Sequence, residues 1–387
     1  MPSPESTLAE LEALGLRRDL RRIESSQGPE ITNERGERLA NFSSNDYLGL
    51  SQHPALIEAS AAAVREFGVG AGASRLVCGS LAPHHQLEAA LAEFKRTEAA
   101  LTFSSGFAVA TGVIPAVCGK DDVVILDKLA HACLIDGARL SGAKMRVFPH
   151  NDLDRLERHL KWARQKFSAE TTILIVTESI FSMDGDRAPL REIFELKDRF
   201  GASLLLDEAH AFGLLGPRGR GLAAECDIDS RVELQMGTFS KAAGVSGGYL
   251  CASKPVIDLL INRARSFIYS TAPPPAIAAT LSKSLELVDS EEGDKLRDKL
   301  HSNRQLLEIP GISPIAPLVI GENEPTLAAS NDLRASGFLV PAIRYPTVPR
   351  GTARLRVTVS AAHEAQAIEN LNHALANCVF DRQTLST

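Results

Sequence analysis

Residues 172–177 spell Thr-Ile-Leu-Ile-Val-Thr, and this run is the clearest indicator of the fold. Its odd-numbered and even-numbered side chains are both apolar, so a strand formed here would be apolar on both faces. Such strands are typical of a parallel sheet that is covered by helices on both sides. Six further short apolar runs alternate with helix-length segments, at residues 100–103, 123–126, 145–148, 203–206, 234–239 and 248–252. The pattern predicts a large α/β domain with a mostly parallel seven-stranded sheet.

The rest of the chain follows other patterns, which predict an N-terminal segment at 1–49, the large domain at 50–285 and a smaller C-terminal α+β domain at 286–387. In the first segment, the spacing of Leu8, Leu11, Leu14 and Leu20 predicts an amphipathic helix up to about residue 23. Further helices are expected at 54–67, 83–95, 276–308 and 365–377. Strands of the smaller domain are expected at 313–319, 339–343 and 353–359.

Composition narrows the classes of function. The 387 residues carry a net charge of −6, which disfavours nucleic acid and anionic membranes as partners. The longest apolar runs fall short of the ~18 residues that a membrane span needs. The six cysteines form no CxxC pair, so we expect reduced thiols in a cytosolic protein and no zinc site.

The most informative chemical motif is Gly237-Thr238-Phe239-Ser240-Lys241, which follows a predicted buried strand. Most lysines lie on solvated surfaces, but hydroxyls and glycines surround this one. The hydroxyls, and backbone amides that glycines leave accessible, can bind an anion. A lysine amine beside a phosphate site is what covalent binding of pyridoxal 5′-phosphate (PLP) requires.

Polar residues also follow other predicted strands. Asp207 ends an apolar run, where it could cap a helix or pair with the pyridine nitrogen of a cofactor. His210, three residues later, could be structural or could contact the phenolic oxygen of the same ring. His131 could stack on that ring and take part in acid–base steps, or could equally be structural.

Three weaker motifs leave alternatives open. The turn Ser104-Ser105-Gly106-Phe107 before a predicted helix could bind phosphate, although many turns of this kind bind nothing. Ser182 could contact the cofactor or simply belong to a capped turn. Arg354 and Arg356 would share one face of a strand, where they could bind a carboxylate or form a charged edge.

Together these segments resemble the α-oxoamine synthases, which have the aspartate aminotransferase fold of the fold type I PLP-dependent transferases. The resemblance covers about residues 14–375. It is carried by eight motifs in the order of that family: NFSSNDYLGLSQHP (41–54), GAGASRLVCGS (70–80), FSSGFAVATG (103–112), VTESIFSMDGDRAPL (176–190), DEAHAFGLLGPRGRG (207–221), TFSKAAGVSGGYL (238–250), IYSTAPPP (268–275) and PTVPRGTARLR (346–356).

The resemblance implies a role for each matched residue. Lys241 would bind PLP covalently, Asp207 would pair with its pyridine nitrogen and His131 would stack on its ring and contact substrate. The remaining cofactor contacts would come from Ser182 and His210 at the phenolic oxygen, from Gly106, Phe107 and Thr238 near the phosphate, and from Ser270 and Thr271 toward the phosphate of a neighbouring subunit. Arg356 would bind the amino-acid carboxylate, and Arg21 and Thr347 the acyl thioester. A homodimer is therefore implied.

The implied activity is a decarboxylative condensation of an amino acid with an acyl thioester. The last motif and the Ser-Ser-Gly-Phe-Ala turn favour L-alanine and a pimeloyl thioester, carried by CoA or by an acyl carrier protein, in biotin biosynthesis. The alternative enzyme is a glycine C-acetyltransferase or another α-oxoamine synthase. The non-enzymatic alternative is a PLP-binding regulatory protein, which would not need the complete set of Lys241, Asp207, His131 and His210.

Overall fold

The structure, a computed structural model, describes residues 3–380. Its strands alternate with its helices for most of the chain, as the sequence predicts. The strands are β1 (Glu30–Thr32), β2 (Arg38–Asn41), β3 (Ala99–Phe103), β4 (Val123–Asp127), β5 (Lys144–Phe148), β6 (Ile173–Glu178), β7 (Ser203–Asp207), β8 (Leu234–Thr238), β9 (Gly248–Ala252), β10 (Ile315–Gly321), β11 (Phe338–Leu339), β12 (Ala342–Ile343) and β13 (Ala353–Thr358).

The α-helices are α1 (Pro4–Ala13), α2 (Pro54–Phe67), α3 (Ala82–Lys95), α4 (Gly106–Val117), α5 (Ala132–Ser141), α6 (Leu153–Lys166), α7 (Leu190–Arg199), α8 (Leu222–Glu225), α9 (Lys254–Arg263), α10 (Arg265–Ile268), α11 (Pro275–Val288), α12 (Glu291–Leu306), α13 (Asn323–Ala335) and α14 (Ala365–Leu375). Short 3-10 helices occur at Leu50–Gln52, Pro217–Gly219 and Asp229–Arg231, and a π-helical turn at Ala376–Phe380.

The chain forms two compact units. The larger comprises residues 53–182 and 186–297, and the smaller comprises residues 3–52, 183–185 and 298–380. The predicted division at residues 49 and 285 stays a prediction.

A seven-stranded sheet forms the centre of the larger unit, in the order β3-β9-β8-β7-β6-β4-β5. Strand β9 is antiparallel to both of its neighbours, and the remaining pairs are parallel. The mostly parallel sheet is therefore confirmed. The polar residues Asp127, Glu178, Asp207 and Thr238 end four of its parallel strands, at the edge where α/β sheets bind ligands.

Alternating side chains of β6 explain why this sheet was predictable. Ile173 and Ile175 belong to one apolar cluster, whereas Leu174 and Val176 belong to another, and all four are at most 1% exposed. Helices cover both faces, so each side chain of this kind contributes about 1.5–3 kcal/mol of burial free energy. Replacing any of them with a polar residue would leave a polar group without a hydrogen-bond partner in the core.

The predicted helix at 276–308 is two helices, α11 and α12, separated by Asp289 and Ser290. Gly293 allows α12 to begin against the end of α11, because a Cβ on this residue would lie 2.4 Å from the Val288 carbonyl oxygen. The break lies immediately before the acidic pair Glu291-Glu292, which begins α12.

The smaller unit contains two three-stranded sheets, β10-β13-β12 and β1-β2-β11. The single strand predicted at 339–343 is wrong, because β11 pairs with β2 whereas β12 pairs with β13. Val340 and Pro341 separate these two short strands. The unit also contains helix α13, which the sequence reasoning missed.

The N-terminal helix is shorter than the leucine spacing predicts. Helix α1 ends at Ala13, and Gly15 adopts φ +62°, a conformation that commonly ends a helix. Leu20 is fully exposed. The arginines at 17, 18, 21 and 22 therefore lie on a segment without regular secondary structure and not on a helix face.

Between residues 3 and 380, no helix combines the length and the apolar character that crossing a membrane requires.

Candidate active site

A cavity of about 220 Å³ lies in the larger unit at the carboxyl ends of β6, β7 and β8. Most of the predicted cofactor residues meet there. Its walls are formed by Ser105, Gly106, Phe107, His131, Cys133, Glu178, Asp207, Ala209, His210, Met236, Gly237, Thr238, Ser240 and Lys241.

Lys241 lies beside a histidine at one wall of this cavity. Its Nζ is 2.8 Å from Nε2 of His210, which follows β7. A lysine amine this close to an imidazole can exchange a proton with it. The two residues are 31 positions apart in sequence, so only the parallel pairing of β7 and β8 brings them together.

The hydroxyl groups of the Lys241 motif lie at the amino end of α4. The hydroxyls of Thr238 and Ser240 are 2.9 Å apart, and that of Thr238 donates to the Gly247 carbonyl at 2.7 Å. A Cβ on Gly106 would approach the Thr238 side chain to 3.3 Å. Hydroxyls and the amino end of a 12-residue helix therefore share one end of the cavity, an arrangement that suits an anion.

A second glycine allows the close backbone packing on which this arrangement depends. Gly248 begins β9, and a Cβ at this position would lie 2.6 Å from the Gly106 nitrogen. Only a glycine lets the strand come so close to the turn before α4. Ser105 completes the turn, because its hydroxyl accepts the Ala108 N–H at 3.1 Å.

Asp207 is a buried carboxyl group, 5% exposed, at the end of β7. Its Oδ1 accepts the Ala209 N–H at 2.8 Å and so stabilises the turn after β7, but residues 209–214 form turns and not the helix that a capping role would require. Burial raises the pKa of Asp207, and the nearby Lys241 opposes that shift. A buried carboxyl group of this kind would be stabilised in its charged form by a cation bound in the cavity.

His131 is the exposed residue before α5, and its ring lines the cavity. Its Nδ1 accepts the Cys133 N–H at 3.3 Å and lies 3.0 Å from the Cys133 thiol sulfur. These contacts favour the tautomer with the proton on Nε2. The cavity walls remove part of the ring's hydration and so lower the pKa of His131, against the attraction of Asp207.

Glu178 is a site residue that the sequence reasoning missed. It ends β6, is 2% exposed, and its Oε1 accepts the His131 N–H at 2.6 Å. Burial and then the Asp207 charge raise the pKa of Glu178 to about 8. A glutamate directly after a predicted buried strand was the available signal, the same one that marked Asp207.

These features match the functional groups of PLP. One cavity offers a partner for each of them. Lys241 provides an amine for the aldehyde, and Asp207 provides a buried carboxyl group for the pyridine nitrogen. Thr238 belongs to the hydroxyl-rich helix terminus that suits the phosphate. The exposed ring of His131 offers a flat surface for the cofactor ring. The residues present therefore fit this cofactor. Within residues 3–380, no cluster of metal-ligating side chains is found.

Of the other residues of the larger unit that were predicted to contact the cofactor, one lines the cavity and three do not. Phe107 lines the cavity and is 51% exposed. Ser182 is half-buried after β6, and Ser270 is half-buried before α11. Thr271 is exposed, and its backbone forms a β-bridge with Ser74.

In the smaller unit, the two strand arginines have different partners. Arg354 forms an ion pair with Asp184 at 2.6 Å. Arg356 donates through both terminal nitrogens to Asn45 Oδ1 at 3.2 Å, and also to the Thr358 hydroxyl at 3.0 Å. Both arginines are 5% exposed, so an exposed charged edge is not what they form.

The segment that follows α1, residues 14–22, brings several arginines together near Thr347. Arg18 donates to the Thr347 hydroxyl at 3.1 Å, and Arg344 donates to the Arg17 carbonyl oxygen. Loss of hydration, and then the charges of Arg18 and Arg21, lower the pKa of Arg344. The sequence reasoning named Arg21 and Thr347, but it gave no role to Arg344 and none to Arg18 in particular.

With this geometry established, comparison with known proteins identifies the family. The sequence profile of aminotransferase class I and II matches residues 37–375. The chain belongs to the aminotransferase class I and II family. Its fold is that of the fold type I PLP enzymes, and its cofactor is PLP, as the sequence predicted.

Curated relatives are similar to this chain over most of its length. A protein from Geobacter sulfurreducens named 8-amino-7-oxononanoate synthase is 45% identical, over 95% of this chain and 96% of that protein. One from Methylorubrum populi with the same name is 48% identical, over 97% and 94%. The resemblance to the α-oxoamine synthases is thereby confirmed.

A solved structure extends the likeness to three dimensions. Serine palmitoyltransferase from S. paucimobilis, bound to PLP and myriocin, superposes with a TM-score of 0.91 at 28% identity. The match covers 98% of this chain and 97% of that one.

Proposed function

We propose that this chain is a PLP-dependent acyltransferase, an 8-amino-7-oxononanoate synthase of biotin biosynthesis. It condenses L-alanine with a pimeloyl thioester and releases CO2 and the free thiol. The observation that carries this proposal is the identity of 45–48% with curated synthases of that name over nearly the whole chain. The complete set of Lys241, His210, Asp207 and His131 around one cavity supports an active enzyme.

Bound PLP supplies the aldehyde that takes up the amino group of alanine and the ring that accepts electrons from its Cα. Lys241 would hold the cofactor covalently, and its Nζ would be the base for the Cα proton of alanine. His210 Nε2, 2.8 Å from that nitrogen, takes part in the transfer of the proton. Asp207 would keep the proton on the pyridine nitrogen, and Ser182 would donate to the phenolic oxygen.

His131 acts in the later acylation and decarboxylation. Because its Nδ1 faces the Cys133 N–H, its Nε2–H is the available donor. That donor stabilises the negative charge that develops on the thioester oxygen during attack. The phosphate group of the cofactor is held by Gly106, Phe107 and Thr238.

The substrates are bound by arginines. Arg356 binds the alanine carboxylate, since a buried guanidinium can donate two parallel hydrogen bonds to such a group. Arg21 and Thr347 bind the thioester substrate, with Arg18 and Arg344 adding positive charge beside them. A cluster of like charges is unfavourable by itself and is stabilised by a polyanion such as the phosphates of CoA.

The assembly we propose is a homodimer in the cytoplasm. Ser270 and Thr271 contact the phosphate of the cofactor in the partner subunit. The proposal rests on their position in the motif IYSTAPPP, and the cytoplasmic location on the scattered positions of the six cysteines, which form no CxxC pair in the sequence.

A mass-spectrometric product assay tests the proposed reaction. Purified enzyme is given alanine labelled with ¹³C in its carboxyl group, together with pimeloyl-CoA. We expect unlabelled 8-amino-7-oxononanoate and labelled CO2 in equal amounts. A product that retains the label, or activity confined to glycine and short acyl thioesters, would contradict the proposal.

A further inference from the structure

We propose that Glu178 is a positioning residue of this active site, which holds the backbone of His131 and thereby the imidazole that the cofactor ring contacts. This inference rests on the proposed function, because it concerns the same PLP site. It assigns a role to a carboxyl group that the mechanism above does not use.

The geometry that carries the proposal is a hydrogen bond between distant parts of the chain. Glu178 Oε1 accepts the His131 N–H at 2.6 Å, although the two residues are 47 positions apart. His131 is the residue that precedes α5, so its N–H is outside the hydrogen-bonding pattern of the helix. The side chain of one strand end thus fixes the start of the helix that follows another strand.

Glu178 itself cannot move far. It lies at the end of β6 between neighbouring strands, is 2% exposed, and pairs in register with Asp207 of β7. The groups whose charges act on it are Asp207, Lys241 and Asp127, and the His131 N–H is its backbone donor. A rigid strand end is therefore the support from which the His131 ring is oriented.

The acceptor oxygen, rather than a negative charge, is what His131 requires. Burial and then the Asp207 charge raise the pKa of Glu178 to about 8, which favours the protonated form of its carboxyl group. A protonated carboxyl group still accepts an N–H through its carbonyl oxygen. A glutamine keeps that oxygen at the same distance, whereas an alanine removes it.

The test compares Glu178→Gln with Glu178→Ala. Hydrogen exchange measured by mass spectrometry in the unliganded protein should accelerate in Glu178→Ala for the segment around His131 and should stay unchanged in Glu178→Gln. With PLP bound, the visible circular dichroism of the cofactor should change only in the alanine variant. The kcat of that variant should fall by up to about a hundredfold, as for a misplaced catalytic group, while the glutamine variant retains most of its activity.

Asp122→Ala is the matched control, because Asp122 makes equivalent bonds at the opposite ends of the same strands. Its carboxylate accepts the Gly119 N–H at 2.8 Å before β4 and the Thr172 N–H at 2.9 Å before β6. This variant should lose stability but leave exchange near His131 and the dichroism of bound PLP unchanged. If Glu178→Ala does not fold, Glu178→Asp replaces it, since the shorter side chain withdraws the acceptor.

Two results would overturn the proposal. One is wild-type exchange and wild-type dichroism in Glu178→Ala or Glu178→Asp. The other is a glutamine variant as defective as the alanine variant, which would show that charge and not the acceptor matters. Both optical and exchange measurements use no substrate, so a wrong assignment of the reaction would leave them unaffected.

Discussion

Asp127 and Asp207 occupy equivalent positions at the ends of β4 and β7, and each accepts a backbone N–H from two residues further on at 2.8 Å. The two carboxylates differ in their other neighbours. Asp127 accepts one hydrogen bond from the Asn151 N–H and lies 3.0 Å from Nδ1 of His150, whereas Asp207 lines the cavity. The same hydrogen-bonded turn therefore follows both strands, and Asp207 in addition faces the cavity.

The first prediction uses this pair. Asp207→Asn should retain PLP but lower kcat by about a hundredfold or more, because a neutral amide cannot hold the proton on the pyridine nitrogen. Asp127→Asn is the control and should lower the melting temperature with much less effect on kcat. Turnover close to wild type in Asp207→Asn would show that this strand end has been assigned wrongly.

A second prediction separates the two arginines of β13. Arg356→Ala should weaken binding of alanine more than of the acyl thioester, by roughly 1.5–3 kcal/mol, or about ten- to a hundredfold in affinity. Arg354→Ala loses the ion pair with Asp184 and should mainly reduce stability. Binding of alanine can be followed by the absorbance of the cofactor. Equal effects of both variants on alanine would argue against a special role for Arg356.

A third prediction concerns acid stability of the smaller unit. His363 is 1% exposed and stacks on Phe42 at 4.2 Å between ring centres, and burial lowers its pKa to about 4. The neutral form is favoured in the folded state, so its contribution is complete above the ordinary pKa of 6.5 and is lost as the pH falls toward 4. The shift corresponds to about 3 kcal/mol.

Urea unfolding at pH 7 and pH 5 checks this. The free energy of unfolding of wild type should fall more between these values than that of His363→Gln. His373→Gln, at an exposed position of α14, should behave like wild type. An equal loss in His363→Gln would exclude His363 as the responsible group.

A fourth prediction tests the shared active site of the homodimer. Lys241→Ala chains and Ser270→Ala/Thr271→Ala chains are unfolded together and refolded. Hybrid dimers would contain one intact site, so activity should exceed the sum of the two parents. Lys241→Ala mixed with Asp207→Asn should give no such gain, because both changes lie in the same subunit's part of the site. Light scattering that finds only monomers, or no gain in the first mixture, would contradict the shared site.

The secondary-structure elements of the two units could be predicted from the sequence with different accuracy. Both ends of all seven strands of the larger sheet were predicted to within one residue, because burial on both faces leaves continuous apolar runs such as residues 173–176. Helix α1 was predicted too long because the leucine spacing was given more weight than Gly15, whose left-handed conformation follows the helix. In the smaller unit, strands as short as β11 and β12 carry too few residues to show a pattern.

In the candidate site, too, some features could be predicted from local sequence and others could not. Lys241 and Asp207 were predictable because each follows a buried strand, and such ends meet at one edge of a parallel sheet. The bond between Glu178 and His131 depends on the order of strands β6 and β4 in that sheet, which local sequence does not reveal. The arginine cluster near Thr347 likewise depends on the path of residues 14–22, which have no regular secondary structure.

The most direct test of the central claim is a comparison of kcat/KM in one preparation. Alanine with pimeloyl-CoA is measured against glycine with acetyl-CoA. A single methyl group can supply only about 1–3 kcal/mol of discrimination, so some reaction with glycine is expected. The account predicts that alanine with pimeloyl-CoA has the higher kcat/KM. A higher value for glycine with acetyl-CoA would contradict the proposed reaction while leaving the family and the PLP site in place.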